Sequence, residues 1–281
     1  MQERNVTETE IRAYQEVLRQ NERAEGTVEK YMHDVRAFAA WLAGRPMNKE
    51  VGVQWKEYLQ QEGYAPATVN SMIAAVNGLL RFLGWEDCRM RFLRVQRRLF
   101  RAPERELTRK EYERLLDVAH RERKERLALL METICATGIR VSEVRYITVA
   151  AARAGRADID LKGKIRTILL PHKLCRKLMK YAAKEKIASG ALFRTESGKC
   201  LDRRQIWAEL KALCRKAGVE ATKVFPHNLR HLFATVFYRA CRDIAKLADV
   251  LGHSSIETTR IYLATSGEEH VRQLDQLGLV S

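Results

Sequence analysis

Ile159-Asp160-Leu161-Lys162-Gly163-Lys164-Ile165-Arg166-Thr167-Ile168-Leu169-Leu170 is the stretch in which this chain stops reading as helix. Two short β-prone runs, Ile159 to Leu161 and Ile165 to Leu170, flank Lys162-Gly163-Lys164, and so brief a glycine-centred link predicts a tight hairpin. In both directions from it the pattern is helical. Upstream, Thr108-x-x-Glu111 is a capping box opening LTRKEYERLLDVA, and a long helical segment then leads into TGIRVSEV. Downstream, past Pro171, come LCRKLMKYAAKE, DRRQIWAELKALCRKAG and NLRHLFATVFYRA.

Further upstream the reading is entirely helical. Thr7-x-x-Glu10 opens a helix through TEIRAYQEVLRQ. From Thr27, the residues Val28, Tyr31, Met32, Val35, Phe38, Ala39 and Leu42 share one stripe that ends at Gly44. VQWKEYLQQEG is a shorter helix ending at Gly63. Pro66 and Thr68 open a fourth, with Val69, Met72, Ile73, Val76, Leu79, Leu80 and Leu83 on one face. The expected fold is therefore mainly α with a small β-sheet in the second half, an α+β chain. Its expected parts are a helical domain over 1–95, a basic linker over 96–107, a second domain over 108–265 and a tail helix over 266–281.

Charge follows that division. The 281 residues hold 51 Lys and Arg against 35 Asp and Glu, a net charge of +16. Residues 1–95 carry 13 of each sign, so the whole excess lies beyond them. Arg89, Arg91, Arg94, Arg97, Arg98, Arg101 and Arg105 crowd one stretch with a single acid, Glu104. Such a concentration attracts polyanions, nucleic acid foremost, although a solvated helix face or a patch for acidic lipid fits the charge as well. An apolar content of 46% excludes a disordered polyelectrolyte. No window reaches the roughly 18 apolar residues of a membrane span, and MQERNVTETE has no signal-peptide core, so a cytoplasmic protein is expected. Six cysteines are scattered without a CxxC pair, and seven histidines lack any HExxH spacing. Neither disulfides nor a metal or other cofactor is expected.

Four separated pieces of the basic half suit one chemistry. They are Arg140 in ATGIRVSEV, the lysines of the hairpin, His227-Asn228-Leu229-Arg230, and LGHSSIETTRIY with His253 and Tyr262. His227 and Arg230 stand three apart and share a helix face. Guanidinium forks match phosphate oxygens and remain charged at working pH, and fixed cations stabilise the negative charge that builds during attack on a phosphodiester. A tyrosine hydroxyl, with a pKa near ~10, needs such neighbours to act as a nucleophile. Singly, each residue also has an ordinary reading: Arg140 as an ion-pair partner of Glu143, His227 and His231 as surface histidines, Tyr262 as core filler, Lys162 as a turn residue.

Together, with their order and spacing, these pieces resemble the tyrosine recombinases of the lambda-integrase type, most closely the two-domain Xer-like members. The resemblance rests on Thr137-Gly138-Ile139-Arg140-Val141-Ser142-Glu143, on His227 to Arg230 followed by His231, on Leu251-Gly252-His253 and on Tyr262. It implies that 108–265 is a catalytic domain and that 1–95 is a core-binding, SAM-like domain. It further implies that Arg140 and Arg230 clamp a scissile phosphate of double-stranded DNA and that His253 donates a hydrogen bond to it. Tyr262 would attack to form a 3′-phosphotyrosyl bond, His227 would assist proton removal, and a hairpin lysine would protonate the leaving 5′ oxygen. The family's hairpin motif is one residue longer than Leu161-Lys162-Gly163-Lys164-Ile165-Arg166. Lys162 aligns best with that lysine, and Lys164 takes the role if the register shifts. A homotetramer on two DNA sites, or an assembly with a related recombinase, would carry out the exchange without metal or ATP.

After Tyr262, Ser266-x-x-Glu269 caps a short helix bearing Val271, Leu274, Leu277 and Leu279. That stripe is expected to dock on its own domain or on the adjacent protomer. Two rival functions stay open from the residues. CRDIAKLADVLGHSSIETTRIYL also reads as the helix-turn-helix of a non-catalytic DNA-binding regulator. A strand-passing enzyme of the type IB topoisomerase kind would use the same chemistry to a different end.

Overall fold

The computed structural model describes residues 4–94, 105–161, 164–260, 262, 271–272 and 275–277. The chain divides into two units, Met1–Arg97 and Arg98–Ser281. Much of the arginine-rich stretch (Arg97, Arg98, Arg101), Lys162 and most of the tail lie outside the described residues.

The first unit is four helices. α1 (Glu8–Gln20) starts on the expected capping box, with the Thr7 hydroxyl accepting from the Glu10 amide at 3.3 Å. α2 (Glu25–Leu42) starts two residues ahead of Thr27, because the Ala24 carbonyl already accepts from the Val28 amide. α3 (Lys49–Gln61) begins four residues before the expected Val53, since Asn48 caps it by accepting from the Val51 amide at 2.8 Å. That extra turn adds Val51 and Gly52 to the buried face of Trp55 and Leu59. α4 (Pro66–Phe82) begins at its proline and buries Val69, Ile73, Val76, Leu79 and Leu80 against the other three helices. Gly78 is where Tyr14 crosses α4: a Cβ there would fall 2.1 Å from the Tyr14 hydroxyl. After α4, two asparagines spaced seven apart clamp the chain as it leaves the helix. Asn77 exchanges hydrogen bonds with the amide and carbonyl of Met90, and Asn70 does the same with Leu93.

The second unit builds one core from α5 (Arg109–Arg121), α6 (Glu125–Thr137), α7 (Val149–Ala154), α8 (His172–Lys184), α9 (Arg203–Ala217) and α10 (Pro226–Cys241). α11 (Ile244–Leu251) and α12 (Ile256–Arg260) follow. The capping box at Thr108 and Glu111 opens α5 as expected. The hairpin is the only sheet among the described residues. Its strands β1 (Arg156–Leu161) and β2 (Lys164–Leu169) pair antiparallel with Leu161 opposite Lys164. β1 is longer than the β-prone run Ile159 to Leu161, because Arg156, Ala157 and Asp158 find partners in Leu169, Ile168 and Thr167. Alternation then turns Ala157, Ile159 and Ile168 into the core, while Ile165 and Leu169 face outward. Arg166, opposite Ile159, shares the inward face, and this carries a guanidinium under the sheet.

Among the described residues no helix is long and apolar enough to cross a membrane, and none of the six cysteines is in a disulfide. Of the expected tail stripe, Val271 and Leu277 are described and both are exposed, while Leu274 and Leu279 lie outside.

Candidate active site

Helix α6 ends at Thr137 because Gly138 takes the left-handed conformation, φ 64°. A Cβ at Gly138 would come 2.4 Å from the Phe233 ring and 3.0 Å from Leu251, so glycine serves both the turn and the close approach of α10 and α11. The chain then presents Arg140 and coils into a 3₁₀ turn, Val141–Tyr146. Glu143 on that turn folds back, accepting from the Arg140 amide at 2.7 Å and from Arg140 Nη1 at 3.0 Å. The same carboxylate accepts from Arg166 Nη2 at 2.5 Å. Glu143 is buried while the Arg140 side chain is 40% exposed, so the anion is hidden and the cation offered. Arg140 Nη2 also reaches the Gly252 carbonyl at 3.3 Å.

Arg230 comes from the second turn of α10 and is 2% exposed. It donates to the carbonyls of Gly138 and Leu251 and to His253 Nε2, and among the described residues no carboxylate pairs with it. Burial, with Arg140 next, lowers its pKa to about 10, against a hydrogen bond it donates to the Tyr262 oxygen, which favours the charge. It is still a cation at neutral pH. Three guanidiniums, Arg140, Arg166 and Arg230, are thus gathered around one carboxylate, Glu143, which pairs with the first two and not with Arg230. Such a cluster is short of negative charge, and an anion reaching the exposed edge of Arg140 supplies it.

α11 ends at Gly252, φ 62°, where a Cβ would lie 2.4 Å from Arg166 Nη1. The turn delivers His253 with its ring between Arg230 and Thr259: Nε2 is 2.8 Å from Arg230 Nη2 and Nδ1 is 2.9 Å from Thr259 Oγ1. Burial, then the charges of Arg230, Arg140, Arg166 and His227, push its pKa down to about 4, so the imidazole is neutral. Tyr262 packs against Ala234, Leu247 and Leu251 and is 5% exposed. Its ring centroid lies 6.1 Å from that of His227, 5.2 Å from His231 and 5.8 Å from His253, and its oxygen is hydrogen-bonded with Arg230.

Five of the six residues singled out in the sequence, Arg140, His227, Arg230, His253 and Tyr262, thus come from three separated segments into one cluster. Lys162 lies outside the described residues, and of Lys164 only the backbone pairing is described. Three members were not singled out as site residues. Glu143 had a local signal, the Arg-x-x-Glu spacing on one turn. Arg166 had a weaker one, its place two residues before the core-facing Ile168. Thr259 had none, since its contact with His253 depends on how α11 and α12 are folded together. The helix-turn-helix reading of this segment meets a physical obstacle: α12 spans five residues as described, and its Thr259 is turned inward onto His253. Among the described residues no group of three His, Cys, Asp or Glu side chains is placed to hold a metal ion.

The sequence matches the phage integrase family over residues 105–269, more than half of the chain and the whole of this cluster. The chain belongs to the phage integrase family. The N-terminal SAM-like domain of phage integrases matches residues 11–87 as well. Among individual relatives, tyrosine recombinase XerA of Thermococcus kodakarensis is 31% identical over 260 residues, covering 89% of this chain and 88% of the relative. Tyrosine recombinase XerD of Brucella suis biovar 1 is 31% identical over 272 residues, covering 85% and 86%. In fold, the chain superposes on a lambda integrase dimer bound to a core site with a TM-score of 0.73 at 17% identity, over 92% of this chain and 95% of that one. The phage integrase family is that of the tyrosine recombinases, which cleave and rejoin DNA, and this chain is an enzyme of that kind.

Proposed function

We propose that this phage integrase family member is a site-specific recombinase of duplex DNA that works through a 3′-phosphotyrosyl intermediate on Tyr262. The observation that carries the reading is Arg230: a buried cation held by neutral acceptors, beside Tyr262 and close to the half-exposed Arg140. Arg140 and Arg230 take the non-bridging oxygens of the scissile phosphate, and Glu143 and Arg166 keep Arg140 in place. The Tyr262 oxygen attacks phosphorus, the bond to the 5′ oxygen breaks, and a free 5′-hydroxyl leaves. His227 receives the phenol proton and Lys162 supplies the proton to the departing oxygen. The phosphodiester energy stays in the tyrosyl bond, so the reverse attack by a 5′-hydroxyl rejoins the strand without ATP.

The same reading assigns the rest of the chain. Residues 1–95 and 108–265 both bind the duplex, and the positive charge of the Arg89–Arg105 stretch is attracted to its phosphates, giving affinity without sequence choice. Four protomers on two sites exchange strands in the cytoplasm. The tail, 266–281, docks on the adjacent protomer, a reading supported by the exposure of Val271 and Leu277 on their own chain. Duplex fragments from DNA flanking the gene, incubated in chelator with wild type and with Tyr262→Phe, test the function. An SDS-resistant protein–DNA adduct with wild type alone is expected. Tight binding by both with no adduct would replace the enzyme with a DNA-binding regulator.

A further inference from the structure

We propose that Asn228 is a positioning residue for His227: its side-chain amide straps the first turn of α10 to the chain at Arg105, ahead of α5, and so sets where the imidazole stands.

Donor chemistry defines the strap. Asn228 is 8% exposed, and its Nδ2 lies 2.7 Å from the Arg105 carbonyl oxygen and 2.8 Å from that of Lys223. The amide nitrogen carries two hydrogens, one for each carbonyl, so both donors are used. Turning the amide over would set Oδ1 against two carbonyl oxygens and lose both bonds. The carbonyls belong to distant parts of the chain. Lys223 stands five residues before Asn228, on the approach to α10, and Arg105 stands 123 residues before it.

The start of α10 depends on this strap because it has little else. The first N–H groups of a helix lack intrahelical partners, and a polar side chain at the N-cap ordinarily takes one of them. Phe225 occupies the N-cap of α10 and makes no such bond, although Pro226 at the first position removes one unpaired donor. A second tie runs beside the first. Lys223 Nζ pairs with Glu111 Oε1 at 3.0 Å, the two side chains being only 16% and 14% exposed, and Glu111 closes the capping box of α5 with Thr108. The approach to α10 and its first turn are thus fastened to 105–111 at two points.

His227 lies inside that turn. It is exposed, and its ring centroid stands 6.1 Å from that of Tyr262. Arg230, one turn further on, is held independently by the carbonyls of Gly138 and Leu251 and by His253. Loss of the Asn228 amide therefore loosens the imidazole and leaves the buried guanidinium in place.

Three readouts on the full chain test this with Asn228→Ala, or with Asn228→Ser should the alanine variant not fold. Trypsin must take the Arg105 carbonyl into its own oxyanion hole to cut Arg105–Glu106, so a carbonyl held by Asn228 slows that cut. The fraction of chains cut there, read by mass, is expected to rise several-fold in the variant. With ¹⁵N-labelled histidine, assigned through His227→Gln and His253→Gln, the ring signals of His227 are expected to move and those of His253 to stay. Single-turnover cleavage of a nicked duplex from the DNA flanking the gene is the one readout that rests on the recombinase reading. At saturating DNA, Asn228→Ala slows the otherwise wild-type chain about tenfold but a His227→Gln chain by no more than about twofold. Unchanged proteolysis at Arg105, an unmoved His227 signal, or equal slowing in both backgrounds overturns the inference. If the first two readouts hold and wild type cleaves nothing, the recombinase reading fails and the placing of His227 by Asn228 stands.

Discussion

Glu143 Oε2 lies 2.5 Å from Arg166 Nη2, with the two side chains 3% and 15% exposed. This contact ties the hairpin to the 3₁₀ turn after α6, and through the other carboxylate oxygen it holds Arg140. Replacing Glu143 by Gln leaves two guanidiniums without their shared anion in a mostly buried setting. A loss of about 3 kcal/mol in unfolding free energy is expected, together with a fall in DNA cleavage. Denaturant titration and adduct formation read the two effects.

Gly138 and Gly198 separate strain from crowding. Both have positive φ, 64° and 82°, but a Cβ at Gly138 meets the Phe233 ring at 2.4 Å while nothing lies within 4 Å of one at Gly198. Gly198→Ala is expected to cost about 1 kcal/mol, from backbone conformation alone. Gly138→Ala is expected to cost about 3 kcal/mol, because α10 must also move. Thermal melts of the two variants side by side check the difference.

In the first unit, Asn77 satisfies both the amide and the carbonyl of Met90 in a buried position, and Asn70 does so for Leu93 in a half-buried one. Asn77→Ala strands two buried backbone groups, an expected loss of about 2 kcal/mol in urea denaturation. Asn70→Ala strands two groups that water can reach, and about half that loss is expected.

His253 makes stability pH-dependent in a definite direction. Its folded pKa is lowered to about 4 by burial and the neighbouring arginines, against 6.5 ordinarily. Between these values the unfolded chain binds a proton that the folded chain refuses. The stabilisation is whole above 6.5 and is lost as pH falls toward 4. The urea midpoint of wild type should therefore drop further than that of His253→Gln between about pH 7 and about pH 4.5. An equal drop in both would remove His253 as a cause.

The helices were legible where their punctuation is local. Thr7 with Glu10, Thr108 with Glu111 and Pro66 each mark a start that the structure keeps. The start of α3 is not legible in the apolar periodicity because Asn48 caps it ahead of the first apolar repeat, and the full length of β1 is not legible because Arg156, Ala157 and Asp158 have little strand preference until Thr167, Ile168 and Leu169 pair with them.

The site divides along the same line. Order and spacing of Arg140, His227, Arg230, His253 and Tyr262 are properties of the chain itself, because a chemistry that needs fixed cations around a nucleophile restricts which residue types can stand at those places. What these residues do to one another is not written in their spacing. That Arg230 is buried against carbonyls, that Glu143 serves two arginines, and that Thr259 meets His253 follow from the packing of α6, α10 and the hairpin on one core and of α11 with Ala234 of α10 and Tyr262 in a second. Hydrogen bonds and charges act over a few ångströms, and only folding brings residues over a hundred positions apart within that range.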